Sequence, residues 1–197
     1  MQAEKFLVIG SDKKMQACRS RLTDLGFDAS CCDGDTLKQM LPFYCNIILP
    51  IPTLANGVIS GTGISVSELC EKLSENQLVF YGNLGNNPFG ASGKSYYNES
   101  FLVKNSRLTA QGAMRIILEN TDRDVYTLKA AVLGYGRCGR AICKSLQSNG
   151  VSTTVVTRNP FSAALAENER LESTDFKIFC KKAADFDVIV NTVPHNI

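Results

Sequence analysis

Three glycines and one arginine carry most of the chemistry that can be read from this chain. Gly134, Gly136 and Gly139 stand in "AAVLGYGRCGRAICKSL", just after an apolar run and just before a helix-like segment. Such a turn can set backbone N–H groups against an anion. Gly134 permits the tight strand-to-helix turn, and Gly136 lets the backbone approach a diphosphate with no Cβ between them. Gly139 lets the helix lie close on the strand. The helix N-terminus adds unpaired N–H groups and a partial positive charge. Tyr135, Arg137 and Cys138 fill the places between the glycines and belong to the same expected loop. An ordinary structural turn is the bland alternative, but a βαβ unit of about 30 residues is the setting of a dinucleotide loop.

The next apolar run, "VSTTVVTRNP", ends on Arg158. It lies about 20 residues beyond the motif, where NAD-preferring domains carry an acid for the ribose hydroxyls. Here the charge is reversed. A guanidinium binds a 2′-phosphate through paired hydrogen bonds, whereas a carboxylate repels it. Thr157 and Asn159 flank the arginine as neutral donors. NADP is therefore the expected cofactor, with a solvated cation at a strand end as the alternative for Arg158. Asn191 and Thr192 close the last apolar run, "FDVIVNTVP", and are expected to face the nicotinamide half of the cofactor.

Short apolar runs that alternate with helix-like segments predict an α/β fold with parallel sheets and helices on their faces. The expected organisation is two doubly wound parallel-sheet units. The first, residues 1–108, is flavodoxin-like, with strands at "KFLVIG", "FDASCC", "CNIILPIP" and "QLVFYGNL". Its third helix opens with Ser65 and Glu68 as an S-x-x-E capping box. Residues 83–98, rich in Gly, Asn, Ser and Tyr, read as a mobile loop, and "SFLVKN" as a further strand. Thr109 then caps a connector helix spanning 109–126. Residues 127–197 form a Rossmann dinucleotide-binding unit, with "PFSAALAENER" as a helix and "FKIFC" as a short strand. That unit supplies four strands where a complete one has about six. Its last strand is then an exposed apolar edge, which proteins normally cover. The expectation is a chain shortened at its C-terminal end and inactive alone, with self-association as a further possibility.

Composition narrows the partners. With 21 Lys plus Arg against 19 Asp plus Glu, the net charge of +2 gives no case for nucleic acid or an anionic membrane. No apolar run approaches the roughly 20 residues that span a bilayer. The apolar run in "MQAEKFLVIG" is too short for a secretory signal, so a cytoplasmic protein is expected. The eight cysteines show no C-x-x-C and no histidine at ligand spacing, so no metal site is expected. They read as reduced thiols, mostly small buried hydrophobes.

Several separated segments resemble the A subunits of dipicolinate synthase. These are "CNIILPIPTLANGVIS", "VFYGNLGN", "NSRLTAQGAMRIILENTD", "AVLGYGRCGRAICKSL" and "DVIVNTVP", in family order along nearly the whole chain. The resemblance implies an N-terminal substrate-side domain and a C-terminal dinucleotide domain with a cleft between them. It implies an NADP-dependent oxidoreductase of spore-forming bacteria, which oxidises a dihydrodipicolinate-type heterocyclic dicarboxylate to dipicolinate. That substrate arises from aspartate semialdehyde and pyruvate. A flavoprotein-like B subunit is the implied partner. The family continues for roughly another third beyond "NTVP", and it commonly carries an acid where this chain has Gln111.

A dicarboxylate calls for clustered donors or cations. Thr53 after "LPIP" and Asn83 after "VFYG" lie just past strand ends, where open α/β sheets bind ligands. Thr109 would place a helix N-terminus nearby. Each has a structural alternative as a turn or cap residue. Lys94 and Arg107 read as solvated cations, and His195, third from the end, as a terminal surface residue. No catalytic base is assigned. Two other functions stay open: an oxidoreductase of the D-hydroxyacid or alanine dehydrogenase type, and a non-catalytic nucleotide-binding regulatory module.

Overall fold

Strands buried on both faces demand helices on both faces, and the chain builds this arrangement twice. The structure, a computed structural model, describes residues 4–194. The chain divides into two compact units, Met1–Asn98 and Glu99–Ile197.

In the first unit, β1 (Lys5–Ile9), β2 (Asp28–Cys32) and β3 (Asn46–Ile48) alternate with α1 (Lys13–Asp24) and α2 (Gly34–Met40). A hairpin of β4 (Leu54–Ala55) and β5 (Val58–Ile59) precedes α3 (Val66–Lys72), β6 (Leu78–Tyr81) and β7 (Gly93–Ser95). The main sheet runs in the order β2-β1-β3-β6-β7 with every pair parallel. With the hairpin set aside this is the 2-1-3-4-5 order of flavodoxin-like sheets. Leu7, Val8, Ile9, Ile47 and Val79 are wholly buried, as strands covered on both faces require. Asp12 caps α1 by accepting from the N–H groups of Lys14 and Met15, and Ser65 and Glu68 form the expected capping box.

The second unit opens with α4 (Glu99–Glu119), then β8 (Lys129–Leu133), α5 (Arg137–Ser148), β9 (Ser152–Val156) and α6 (Pro160–Asn168). β10 (Glu172–Thr174), α7 (Phe176–Lys182) and β11 (Val188–Asn191) follow. Its parallel sheet runs β10-β9-β8-β11, the first four places of the 3-2-1-4-5-6 dinucleotide fold. β11 is an edge strand with Ile189 exposed.

Four expectations are corrected. No strand forms at 100–105, because those residues are the first turns of α4. Ser106, Ala110, Met114 and Ile117 recur at helical spacing on its buried face, and that periodicity extends the helix back to Glu99. Thr109 is therefore an interior helix residue and caps nothing. Nor is "FKIFC" a strand. Asp175 caps α7 by accepting from the Ile178 N–H, and Phe176 and Phe179, one turn apart, pack on Ala131, Leu133 and Val156. The strand lies earlier, at β10. The segment 83–98 is not wholly loop, since a 3-10 turn at Gly90–Ser92 leads into β7, which completes the first sheet.

The cysteines also differ from expectation. All eight are free, but only Cys32 and Cys143 are buried, while Cys45 and Cys180 are exposed. Burial pushes the thiols of Cys32 and Cys143 up to about 12. With a thiol reagent at pH 8 the folded protein should therefore react first at Cys45 and Cys180. Cys32 and Cys143 should react only on unfolding, and prompt labelling of either in the folded state would contradict this packing.

Candidate functional site

The turn after β8 is dictated by crowding on two sides and openness on the third. Gly134 has φ +93°, and a Cβ there would lie 2.8 Å from Thr192 Oγ1 and from Val193 Cγ1. A Cβ on Gly139 would stand 2.2 Å from the Gly134 carbonyl oxygen. Both positions must be glycine for α5 to start where it does. Gly136 differs: its φ of −78° suits any residue, and among the described residues a Cβ would meet nothing within 4 Å. It is the N-cap of α5, and among the described residues no side-chain cap bond is made there. The turn thus presents an uncapped helix start beside open space, which is the shape an anion cradle needs.

The neighbouring strands align their ends with this turn. Leu133 is in register with Val156 of β9 and with Asn191 of β11, so 134–139, 157–159 and 191–192 gather at one sheet edge. The Thr192 hydroxyl donates to the Leu133 carbonyl at 2.8 Å, fixing the β11 exit to the turn. Asn191 Oδ1 accepts from the Val193 N–H. The other end of β11 is anchored by Asp187, which accepts from the Lys129 N–H at 2.8 Å and pairs with Arg123. Those partners, the Lys129 N–H foremost, hold the Asp187 carboxyl below the usual carboxylate range. This anchor is complete above the ordinary carboxylate range and is lost only as pH falls through the lowered value.

Past β9, the Thr157 hydroxyl accepts from the Asn159 N–H, and Asn159 Oδ1 caps α6 by accepting from Phe161 and Ser162. Arg158 between them is exposed, its guanidinium 5.4 Å from the ring centroid of Phe176. Arg137 and Tyr135 are less free than the sequence suggests. Arg137 makes a two-pronged pair with Glu99 at 2.7 and 2.6 Å. Tyr135 is 6 % exposed and donates its hydroxyl to Glu169 at 2.8 Å. Cys138 is half-buried. A groove of about 1230 Å3 runs along α4, α5 and α6, touching the turn at Gly136 and Arg137 and lined also by Arg107 and Lys144. Arg158, Asn191 and Thr192 lie outside it, so it is not the whole of the site assembled at the sheet edge.

In the first unit Thr53 is 3 % exposed and saturated. Its hydroxyl donates to the Pro50 carbonyl at 3.1 Å and accepts from the Gly82 N–H at 2.9 Å. The Tyr96 hydroxyl lies 3.2 Å from the carbonyls of Leu49 and Pro50. These bonds tie together the exits of β3, β6 and β7. Asn83, next to Gly82, is exposed and lines a hollow of about 310 Å3 with Asn87, Ser95 and Tyr97. Lys94 is exposed within β7. Thr109, whose candidacy rested on a helix N-terminus, is exposed mid-helix and donates its hydroxyl back to the Asn105 carbonyl. Arg107 is exposed on α4, and His195 lies outside the described residues. Sequence reading missed Glu169, Glu99, Phe176 and Tyr96. Only Tyr96, inside a Gly/Asn-rich segment after a strand, carried a local signal.

The order of a flavodoxin-like unit and then a Rossmann-type one recurs in solved structures. A D-lactate dehydrogenase from a Sporolactobacillus species superposes with a TM-score of 0.56 at 15% identity, over 98% of this chain and 62% of that one. At that identity the likeness is one of fold. No family model matches the chain. The resemblance read from the sequence holds along the chain: it is 26% identical to the dipicolinate synthase A subunit of Bacillus subtilis (strain 168), over 98% of its own length and 74% of the relative's. The crystal structure of that Bacillus subtilis protein superposes with a TM-score of 0.69 at 22% identity, over 98% and 74% of the two chains. Its counterpart from Bacillus halodurans gives 0.70 at 19% identity, over 97% and 74%. No helix among the described residues is long and apolar enough to cross a membrane.

The glycine geometry separates fold from ligand. Gly139→Ala should destabilise the protein by about 1–3 kcal/mol through overpacking. Gly136→Ala should cost less than about 1 kcal/mol, the scale of a changed N-cap. Urea unfolding of the two variants decides this, and equal losses would contradict the different spaces around the two residues.

Proposed function

We propose that this chain is an NADP-dependent oxidoreductase of the dipicolinate synthase A type. It oxidises a dihydrodipicolinate-type heterocyclic dicarboxylate to dipicolinate. The observation that carries the reading is the open face at Gly136, where an uncapped helix start meets a sheet edge that also presents Arg158. Gly134 to Gly139 would hold the diphosphate through backbone N–H groups, with Tyr135 and Cys138 contributing main chain. Arg158 would grip the 2′-phosphate, with Thr157 and the Asn159 amide beside it, and its stacking on Phe176 limits the guanidinium's freedom before binding. Asn191 and Thr192 would border the nicotinamide, whose ring accepts a hydride when bound. Loss of that hydride and one proton converts a dihydropyridine ring to a pyridine.

On this reading the second unit is the cofactor side and the first the substrate side. The hollow beside Asn83 offers neutral amide and hydroxyl donors for a carboxylate. Thr53 acts on it indirectly, by fixing Gly82. The partner is a B subunit, as the likeness to one component of a synthase suggests, and the setting is the cytoplasm of a sporulating cell. No metal is required.

Two measurements test the proposal. Fluorescence titration should show tighter binding of NADPH than NADH, and Arg158→Asp should invert the preference. Equal or tighter NADH binding by the unaltered protein would refute the NADP assignment. Mixing the protein with its B partner, aspartate semialdehyde, pyruvate and NADP should raise the dipicolinate absorbance. Cofactor binding with no product in that mixture, even when the chain is extended to the full length of its relatives, would point instead to a nucleotide-binding regulatory module.

A further inference from the structure

We infer that Tyr135, Glu169 and Arg140 form a latch that sets the glycine turn for a diphosphate, which makes Glu169 a positioning residue for dinucleotide binding. The inference rests on the proposed cofactor site.

The turn needs such a device. Gly134 and Gly136 have no side chains, and Gly134 already sits in the left-handed region. Tyr135, between them, is the one residue of the three that can be held by its own side chain. Its ring belongs to the same buried cluster as Ala110, Ile142, Cys143 and Leu171. Its hydroxyl donates to Glu169 Oε2 at 2.8 Å, and the other carboxylate oxygen accepts from Arg140. The Arg140 guanidinium lies 5.9 Å from the Tyr135 ring centroid, and its backbone N–H donates to the Gly136 carbonyl. Tyr135 directly, and Gly136 through Arg140, are thereby tied to one carboxylate. An exposed ion pair alone would be worth little, but a buried phenol on a carboxylate is a charge-assisted bond with fixed geometry. The Tyr135 hydroxyl, and after it Arg140, holds Glu169 below the usual carboxylate range, so the acceptor stays ionised at neutral pH.

Glu169 is also the C-cap of α6, the helix whose N-cap is Asn159. One short helix therefore holds the glycine turn at its far end and carries the Arg158 segment at its near end. Binding groups must be held to within about 0.5 Å by supporting hydrogen bonds to keep their affinity. Releasing the latch should loosen the diphosphate cradle and leave the arginine's grip intact.

Tyr135→Phe keeps the ring and removes the bond, and Glu169→Ala removes the acceptor from a half-exposed site. Each should weaken NADPH and NADH by the same factor, about tenfold, the scale of a hydrogen bond to a charged group. The double variant should lose no more than the larger single loss, since both changes break one bond. Adenosine 2′-monophosphate, which carries the extra phosphate but no 5′ phosphate, should bind all variants as it binds the unaltered protein, read by NMR titration. Undiminished NADPH affinity in both single variants overturns the latch. So does a parallel loss of 2′-monophosphate binding, which would mean general damage. If the unaltered protein binds neither dinucleotide, the cofactor assignment itself fails.

Discussion

The carbonyl oxygen of Gly134 leaves no room for a side chain at residue 139. That single close approach brings the first turn of α5 down onto the end of β8. The features of the candidate site gather around it: the open cap at Gly136, the alignment of the turn with Val156 and Asn191, and the Thr192 bond to Leu133. Close helix–strand packing and an open backbone face are here one geometric fact. A phosphate could come near the backbone because the helix comes near the sheet.

Around that contact the second unit places its polar groups at strand ends and its apolar groups in the sheet. Ala130 to Leu133, Val155 and Val156 are buried, so the parallel strands cannot slip without exposing them. The residues just beyond them have no such duty, and they stand at the strand ends where open α/β sheets generally bind ligands. The first unit repeats the logic with different means. Its exits from β3, β6 and β7 are bound to one another by Thr53 and Tyr96, which leaves the Asn83 hollow on a rigid base.

Likeness to the A subunits of dipicolinate synthase runs the length of the chain, and the fold likeness extends to D-lactate dehydrogenase. These relatives share the scaffold. Two local features of this chain stand out: an arginine where NAD-preferring dinucleotide domains carry an acid, and a tyrosine between two glycines whose hydroxyl is committed to a glutamate from another helix.

Much of this was written in short-range pattern. The glycine turn, the S-x-x-E box of α3, the two-unit α/β organisation and the place of Arg158 depend on neighbours within a few residues or on strand-length periodicity. Such signals survive in one dimension. The strand expected at 100–105 and the one expected at 176–180 failed because short apolar runs look alike in both periods. What makes them helices is the face they bury, against the core in α4 and against Leu133 and Val156 in α7. The Tyr135–Glu169 bond and the Thr53–Gly82 bond were invisible for a different reason. Each joins residues about 30 apart whose types are common everywhere. Only the packing of helices and strands in three dimensions brings such pairs within hydrogen-bonding reach.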